Sequence, residues 1–395
     1  MSTDFPADLL DAIEEPMVEI RHDLHMYPEL AFEEFRTTRV ITERLIELGF
    51  EIRPCPTSTG VVARLRGATP GRRVMIRADI DALPVTEERP DLSFVSRTDG
   101  AMHACGHDVH VAGLLGVADL LSRCRSDVAG EYVLLFQPAE EAVSGASAMI
   151  EGGVLESNPV DYVIGAHVTS LAPVGFVASR AGIMMSYAQA LSIHIRGKGG
   201  HGAMSTSEGN VVLAISEIAP RLGEIVEGLV YEGTQCACSA GVIRAGTANN
   251  VVPRHAVLQG TLRTFTPDQR TEALARLNTL IDDVSSRFAV TCEIEISQGT
   301  PAVANDPTVT QSVLASATRV VGEAGVLAIP PFTPSDDVSE FLERVPGCYM
   351  FVGGALADGT SGMHHAPDFA IDDGACRIVA AVLATAASDL AAAAN

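Results

Sequence analysis

Basic residues are scarce in this sequence: 27 Lys and Arg stand against 50 Asp and Glu among 395 residues, a formal charge of −23. Affinity for polyanions comes mostly from Lys and Arg displacing counterions from phosphates, so neither nucleic acid nor an anionic membrane surface is an expected partner. The start, MSTDFPADLLDAIEEPM, lacks a basic n-region and an apolar h-region, and no signal peptide is expected. Long apolar runs are also missing. The nearest approach is the Ala-rich end from Arg377 to Asn395, but Arg377 and Asp389 interrupt it and its side chains are short, which predicts a packed C-terminal helix rather than a membrane span. The eight cysteines are scattered, unlike the dense framework of a small secreted domain, and read as reduced thiols in a cytoplasm. Cys236 and Cys238 have no second Cys or His pair nearby and are expected to pack within a strand. Internal repeats and low-complexity linkers are absent.

What is present is enough apolar material for a large core, 47% hydrophobic against 19% charged residues, over a length that suits about two domains. Leu9, Ile13, Met17, Ile20 and Leu24 recur at helical spacing up to Pro28. Apolar strand-like runs (Val74 to Ile76, Tyr132 to Phe136, Tyr162 to Ile164) then alternate with a helix pattern from Val109 to Leu121. This rhythm predicts an α/β fold, a mixed, largely parallel sheet flanked by helices, with ligands outside the carboxyl ends of its strands. From about Tyr187 the pattern becomes β-α-β-β-α-β, the ferredoxin-like order, through Val290 to Ile296. The expected organisation is a first catalytic segment over 1–186, an inserted α+β domain over 187–299, and a second catalytic segment over 300–395.

The densest chemistry lies in MHACGHDVH, where His103, Cys105, His107, Asp108 and His110 crowd ahead of a helix pattern. Thiolate, imidazole and carboxylate are ligands for Zn²⁺ and similar ions, and Gly106 lets the backbone bend between Cys105 and His107. Further candidates follow apolar strands: Glu140 and Glu141 after Phe136-Gln137, and His167 after Ile164-Gly165-Ala166. A lone histidine or an adjacent carboxylate pair is usually structural, and it is their company that makes these candidates. Cys105, His107, Glu141, His167 and one of His364 or His365 make five ligands, too many for one tetrahedral zinc and suited to two ions. Asp79 and Asp81 share a strand parity, so one of them is placed to orient a ligand histidine. GKGGHG, around His201, lacks phosphate-loop spacing.

Taken together, RHDLHMYPELAFEE, IRADIDALP, HACGHDVH, FQPAEE, GAHV, GKGGHGA, NNVVP, TLRTF and HHAPDFAIDD occur in order over nearly the whole chain. In these motifs the sequence resembles the di-metal amidohydrolase and aminoacylase family that includes hippurate hydrolases, auxin-amino-acid conjugate hydrolases and bacterial N-acyl-amino-acid deacetylases. The Cys-Gly-His form of the first metal motif resembles the hippurate-hydrolase branch, since related carboxypeptidases and dipeptidases use Asp there. The resemblance implies two divalent ions per subunit, zinc or manganese with cobalt or nickel also compatible, held by Cys105, His107, Glu141, His167 and His365. His365 is preferred to His364 because His365-Ala366-Pro367 satisfies the family's H-x-P pattern. It implies Glu140 as the base, Asp81 in the catalytic group, and His201, Asn250 and Arg263 as substrate contacts. It also implies that the inserted domain serves as a lid through which a homodimer forms, His201 reaching the partner's site. Ser205, where a Pro often follows GHGAM, and Ser335-Asp336-Asp337-Val338, in place of S-E-D-F, depart from the pattern where substrate is expected.

The expected activity is hydrolysis of the amide of N-acyl amino acids by water activated between the ions, Glu140 moving the proton and His201 stabilising the oxyanion. A dipeptidase or carboxypeptidase is the alternative within the same chemistry. A Cys105 nucleophile with His107 or His110 as base, and a non-catalytic metal-binding protein, are the competing classes.

Overall fold

The computed structural model describes residues 5–392. The chain divides into two compact units: one runs to Gly182, resumes over Ala304–Ile329 and continues from Asp337, and the other comprises Ile183–Val303 with Pro330–Asp336.

The first unit is built on an eight-stranded sheet. Its strands lie in the order Glu51–Arg53, Val61–Arg66, Ala129–Gln137, Thr69–Asp79, Tyr162–Pro173, Gly347–Ala355, Val177–Ser179 and Val326–Ala328. The four central strands run parallel, the next strand on each side, Val61–Arg66 and Val177–Ser179, is antiparallel to its central neighbour, and Val326–Ala328 pairs parallel with Val177–Ser179, giving the mixed, largely parallel sheet that the alternating pattern predicts. Continuous apolar runs such as Val74 to Ile76 and Tyr132 to Phe136 suit strands covered on both faces, and all of these residues are buried.

The helices Ala7–Met26, His107–Arg123 and Gly374–Ala392 share the main core with the sheet, burying Leu24, Leu114, Val379 and Leu383. Glycine sets how closely two of them approach: a Cβ on Gly113 would stand 2.5 Å from Val379 Cγ1. Gly374–Ala392 is the one described helix long and apolar enough to cross a membrane, yet 78% of its apolar window is buried inside the protein. It is the packed C-terminal helix that its composition predicts.

The second unit carries the β-α-β-β-α-β order directly: Tyr187–Arg196, Val211–Arg221, Ala237–Ala245, His255–Thr264, Pro267–Phe288 and Thr291–Ile296. Its four strands form an antiparallel sheet in the order Ala237–Ala245, His255–Thr264, Tyr187–Arg196, Thr291–Ile296. Leu191, Ile193 and Ile195 alternate inward against Ile215, Ile218, Leu277 and Ile281 of the two helices, as a period of two requires of a sheet with one buried face. Asn210 caps the first helix through the N–H groups of Val212 and Leu213, and a capping box between Thr266 and Gln269 starts the second. Cys236 and Cys238 are buried in this core.

A buried charge cluster ties the centre of the first sheet. Arg77 is fully buried and donates to Asp79 (2.7 Å), Gln137 (2.9 Å) and Asp337 (3.0 Å), while Asp337 also accepts from Gln137 and from the Ala146 N–H. Removing one partner of such a cluster strands the others without water. Arg77→Leu is therefore expected to lower the unfolding free energy by about 3 to 5 kcal/mol, measured by chemical denaturation. A loss within experimental error would mean that the cluster relaxes.

Candidate metal centre

The candidate residues of the first unit gather at the carboxyl ends of its central strands. Thr69–Asp79 leads into Asp81, Ala129–Gln137 leads into Glu140 and Glu141, and His107 opens the helix His107–Arg123. His167 differs from its sequence reading: the strand runs on to Pro173, so His167 lies within it rather than past its end. His364 and His365 follow Gly347–Ala355.

Two triads emerge, Cys105 with His107 and His167, and Cys105 with Glu141 and His365, each with donor atoms within 4.8 Å of one another. Both contain the Cys105 thiol. Glu140 joins His107 and Glu141 in a further set, and Asp79 joins His107 and His110 in another. The backbone supports this crowding at a cost. Gly106 has φ 88, and a Cβ there would meet Val168 Cγ2 at 2.5 Å, so only glycine fits between Cys105 and His107. Ala139 (φ 55) and His365 (φ 66) adopt left-handed conformations beside Glu140 and Glu141, the kind of local strain that tertiary contacts must hold in place.

Hydrogen bonds decide which ring nitrogens face the cluster. His107 Nδ1 meets the Asp81 carbonyl at 2.9 Å, leaving Nε2 buried without a hydrogen-bond partner, 3.9 Å from Glu141 Oε1. His167 Nδ1 donates to the Val168 carbonyl at 2.6 Å and turns Nε2 to Cys105 Sγ at 3.4 Å. His365 Nε2 stands 3.4 Å from Glu141 Oε1. His364 behaves otherwise: its Nε2 accepts from the Ser170 N–H (3.3 Å), so Nδ1 carries the proton and faces Cys105 Sγ at 3.7 Å as a donor. Both nitrogens of His110 are engaged, with Asp79 at 2.5 Å and the Val168 N–H at 2.9 Å, which leaves it no lone pair for a proton from Cys105. His103 is buried and meets no hydrogen-bond partner at either nitrogen, and burial pushes it down to about 3.

These donors fit divalent cations. Burial and then the Glu141 charge push the Cys105 thiol well above its usual value, so a nearby cation is what would allow it to ionise. Burial opposes a proton on His107, but Asp79, Asp81 and Cys105 outweigh it and hold the proton far above the ordinary range. Burial pushes His167 well down and leaves its Nε2 lone pair available. Burial works against the Glu141 charge as well, yet His365 and His107 keep it ionised. The cluster thus favours a positive charge at its centre, and the unpartnered His107 Nε2 and Glu141 Oε1 are ready for one.

Of the supporting groups, Asp79 and Asp81 were signalled by the sequence, whereas Glu34 and the role of Asp108 were not. Asp81 accepts the N–H groups of both Glu140 and Glu141 at 3.0 Å through its two carboxylate oxygens. Glu34, fully buried, takes the Ala139 N–H (2.9 Å) and the Thr59 hydroxyl (2.6 Å), a contact across more than a hundred residues that no spacing signals. Asp108 does not face the cluster: it accepts from Arg21 (3.2 Å) and His25 (3.0 Å), anchoring the start of the His107–Arg123 helix. His201, Asn250 and Arg263 all lie in the second unit. His201 and Val251 pair across a short ribbon and the Gly202 N–H bonds the Asn250 carbonyl, which makes His201 and Asn250 neighbours. Arg263 donates to the Ser335 hydroxyl at 2.5 Å, within the segment that departs from the expected pattern.

A thiol common to two triads of candidate ligands, beside the Glu140 carboxylate at the carboxyl edge of a largely parallel sheet, is an arrangement suited to metal-dependent hydrolysis. The family model for peptidase family M20/M25/M40 matches residues 75–389. The chain belongs to this family. It is 37% identical over 364 residues to an N-acetyl-L-cysteine deacetylase of Bacillus subtilis, covering 92% of this chain and 85% of that one. It is 37% identical over 345 residues to thermostable carboxypeptidase 1 of Saccharolobus solfataricus, covering 86% of each. Among solved structures it is similar to the Bacillus subtilis YXEP protein, described as a dinuclear metal binding peptidase from the M20 family, with TM-score 0.81, 30% identity, and 96% and 99% coverage.

The anchor behind the helix start titrates. Burial opposes charge on His25, but Asp108 and Glu87 outweigh it and raise its pKa to about 9. A raised histidine pKa adds stability that is complete below the unfolded value of 6.5 and is lost as pH rises through about 9. Wild type is expected to exceed His25→Gln by about 3 kcal/mol near pH 6, the advantage shrinking towards pH 10. Denaturation across that range measures it, and a difference independent of pH would exclude charge on His25 as the cause.

Proposed function

We propose that this chain hydrolyses the amide bond of N-acyl amino acids, with two divalent ions held by Cys105, His107, Glu141, His167 and His365. The observation that carries this reading is the Cys105 thiol common to both triads, since two donor sets that overlap at one residue would hold two ions at a single site. When bound, such ions supply Lewis acidity towards the amide carbonyl and towards water.

The remaining work falls to the protein's own groups. Glu140 takes the water's proton and returns it to the departing amine, a task for a carboxylate whose backbone Asp81 holds still. His364 donates to Cys105 and moderates the thiolate's charge without ligating. Arg263 or Asn250 receives the substrate carboxylate, for which a guanidinium fork is well shaped, and His201 steadies the oxyanion. Residues 187–299 act as the lid through which two copies pair. Zinc suits the thiolate ligand and manganese the carboxylate and imidazoles, and the free thiols among the described residues suit a cytoplasmic setting.

The direct test is free-amine release from a panel of N-acyl amino acids and dipeptides, with protein loaded separately with Zn²⁺ and Mn²⁺ and a chelated control. Chelator-sensitive release from N-acyl amino acids is expected. Release from dipeptides alone would favour the peptidase reading that the carboxypeptidase relative suggests, and chelator-resistant release would favour a Cys105 nucleophile. Glu140→Gln is expected to keep its full metal content, assayed by elemental analysis, while turnover falls roughly 10²- to 10⁴-fold. Near wild-type turnover in that variant would remove Glu140 from the base role.

A further inference from the structure

His110 lies three residues beyond His107 in the motif that resembles a ligand cluster, yet neither of its nitrogens is available to an ion. Its bonds form part of a chain. Arg77 donates to one oxygen of Asp79 (2.7 Å), and the other oxygen of Asp79 faces His110 Nδ1 (2.5 Å). His110 Nε2 accepts from the Val168 N–H (2.9 Å), and the Val168 carbonyl accepts from His167 Nδ1 (2.6 Å). His167 Nε2 then points to Cys105 Sγ.

The sheet explains why a side chain is needed there. The strand Thr69–Asp79 pairs with Tyr162–Pro173 only as far as Arg77 opposite Gly165, so this ladder ends before Val168. His110 takes up the ladder's work one step further along. A ligand histidine is aimed by the acceptor of its other N–H, and here that acceptor is a main-chain carbonyl that can move with its peptide.

We infer that His110 is a positioning residue that fixes the aim of His167 by holding the main chain at Val168 through its N–H, one Cα away from the carbonyl that His167 Nδ1 meets, with Arg77 and Asp79 setting the ring of His110 in turn. The inference rests on the two-ion reading above, and it assigns His110 neither ligation nor proton transfer.

Two substitutions separate the two halves of the imidazole. Gln at 110 can place an amide oxygen near the Nε2 position and keep the Val168 bond, while Asn reaches only the Nδ1 position and keeps the bond to Asp79. Metal-free wild type, His110→Gln and His110→Asn are titrated with Zn²⁺ against a competing chelator, after circular dichroism and thermal unfolding confirm that each is folded. His110→Gln is expected to bind both ions nearly as wild type does, and His110→Asn to lose roughly 10- to 100-fold in affinity for one ion only. Equal weakening in both variants, or no weakening with Asn, overturns the inference alone. Uptake of fewer than two ions by the wild type overturns the two-ion reading and this inference with it. Nitrogen-15 spectra of metal-free wild type give a test that needs no variant: His110 and His167 must both carry their proton on Nδ1, and an Nε2–H form of either overturns it.

Discussion

The Asp81 carboxylate is the joint on which the centre depends. Its two oxygens take consecutive main-chain N–H groups, those of Glu140 and Glu141, and its own carbonyl faces His107 Nδ1. One residue therefore sets the carboxylate pair and the ring of a proposed ligand at once. The bonds form in a buried setting where unmade ones are expensive, so the three segments are locked together rather than loosely apposed. Glu34 secures the preceding residue, Ala139, in its left-handed conformation, so the turn that presents Glu140 is held from both sides.

A second constraint is electrostatic. Asp79, Asp81, Glu140, Glu141 and Cys105 lie close together at the buried edge of one sheet, and Arg77 answers part of that charge from within the sheet. Dense negative charge in a place water hardly reaches is costly unless cations enter or protons stay. The raised proton affinity of His107 follows from this imbalance and that of Cys105 from burial and then the Glu141 charge, whereas Glu141 is kept ionised by His365 and His107; a pair of divalent ions would relieve the excess. The outer support is different in kind. Arg21, Asp108, His25 and Glu87 form a balanced network that holds the start of the His107–Arg123 helix without facing the cluster.

Much of the fold was legible in the sequence because periodicity reports burial locally. The runs at Val74 to Ile76 and Tyr132 to Phe136 became central strands, and the β-α-β-β-α-β order expected from about Tyr187 became the second unit, opening on the strand Tyr187–Arg196. The gathering of Cys105, His107, Glu140, Glu141 and His167 was anticipated from strand and turn signals, and that of His365 from the family's H-x-P pattern; the structure brings these side chains together. The extent of the strand through His167 was not, because Gly165 and Ala166 read as its end, whereas the neighbouring strand Gly347–Ala355 continues the pairing past them.

Residue types and order along the chain thus determined the class of fold, the family and the kinds of side chain gathered at the candidate centre, because these depend on side-chain character and on patterns a few residues long. Only the tertiary structure decided the orientation of each group: which nitrogen of each histidine faces inward, that His364 donates while His365 stands by Glu141, that His110 beside the cluster spends both nitrogens on Asp79 and Val168, and that Asp108 turns to Arg21 and His25. Those choices are made by acceptors such as the Val168 carbonyl and the Asp79 carboxylate, brought next to the rings by strand pairing and helix packing. Hydrogen-bond direction is a property of neighbours in space, and sequence spacing does not carry it.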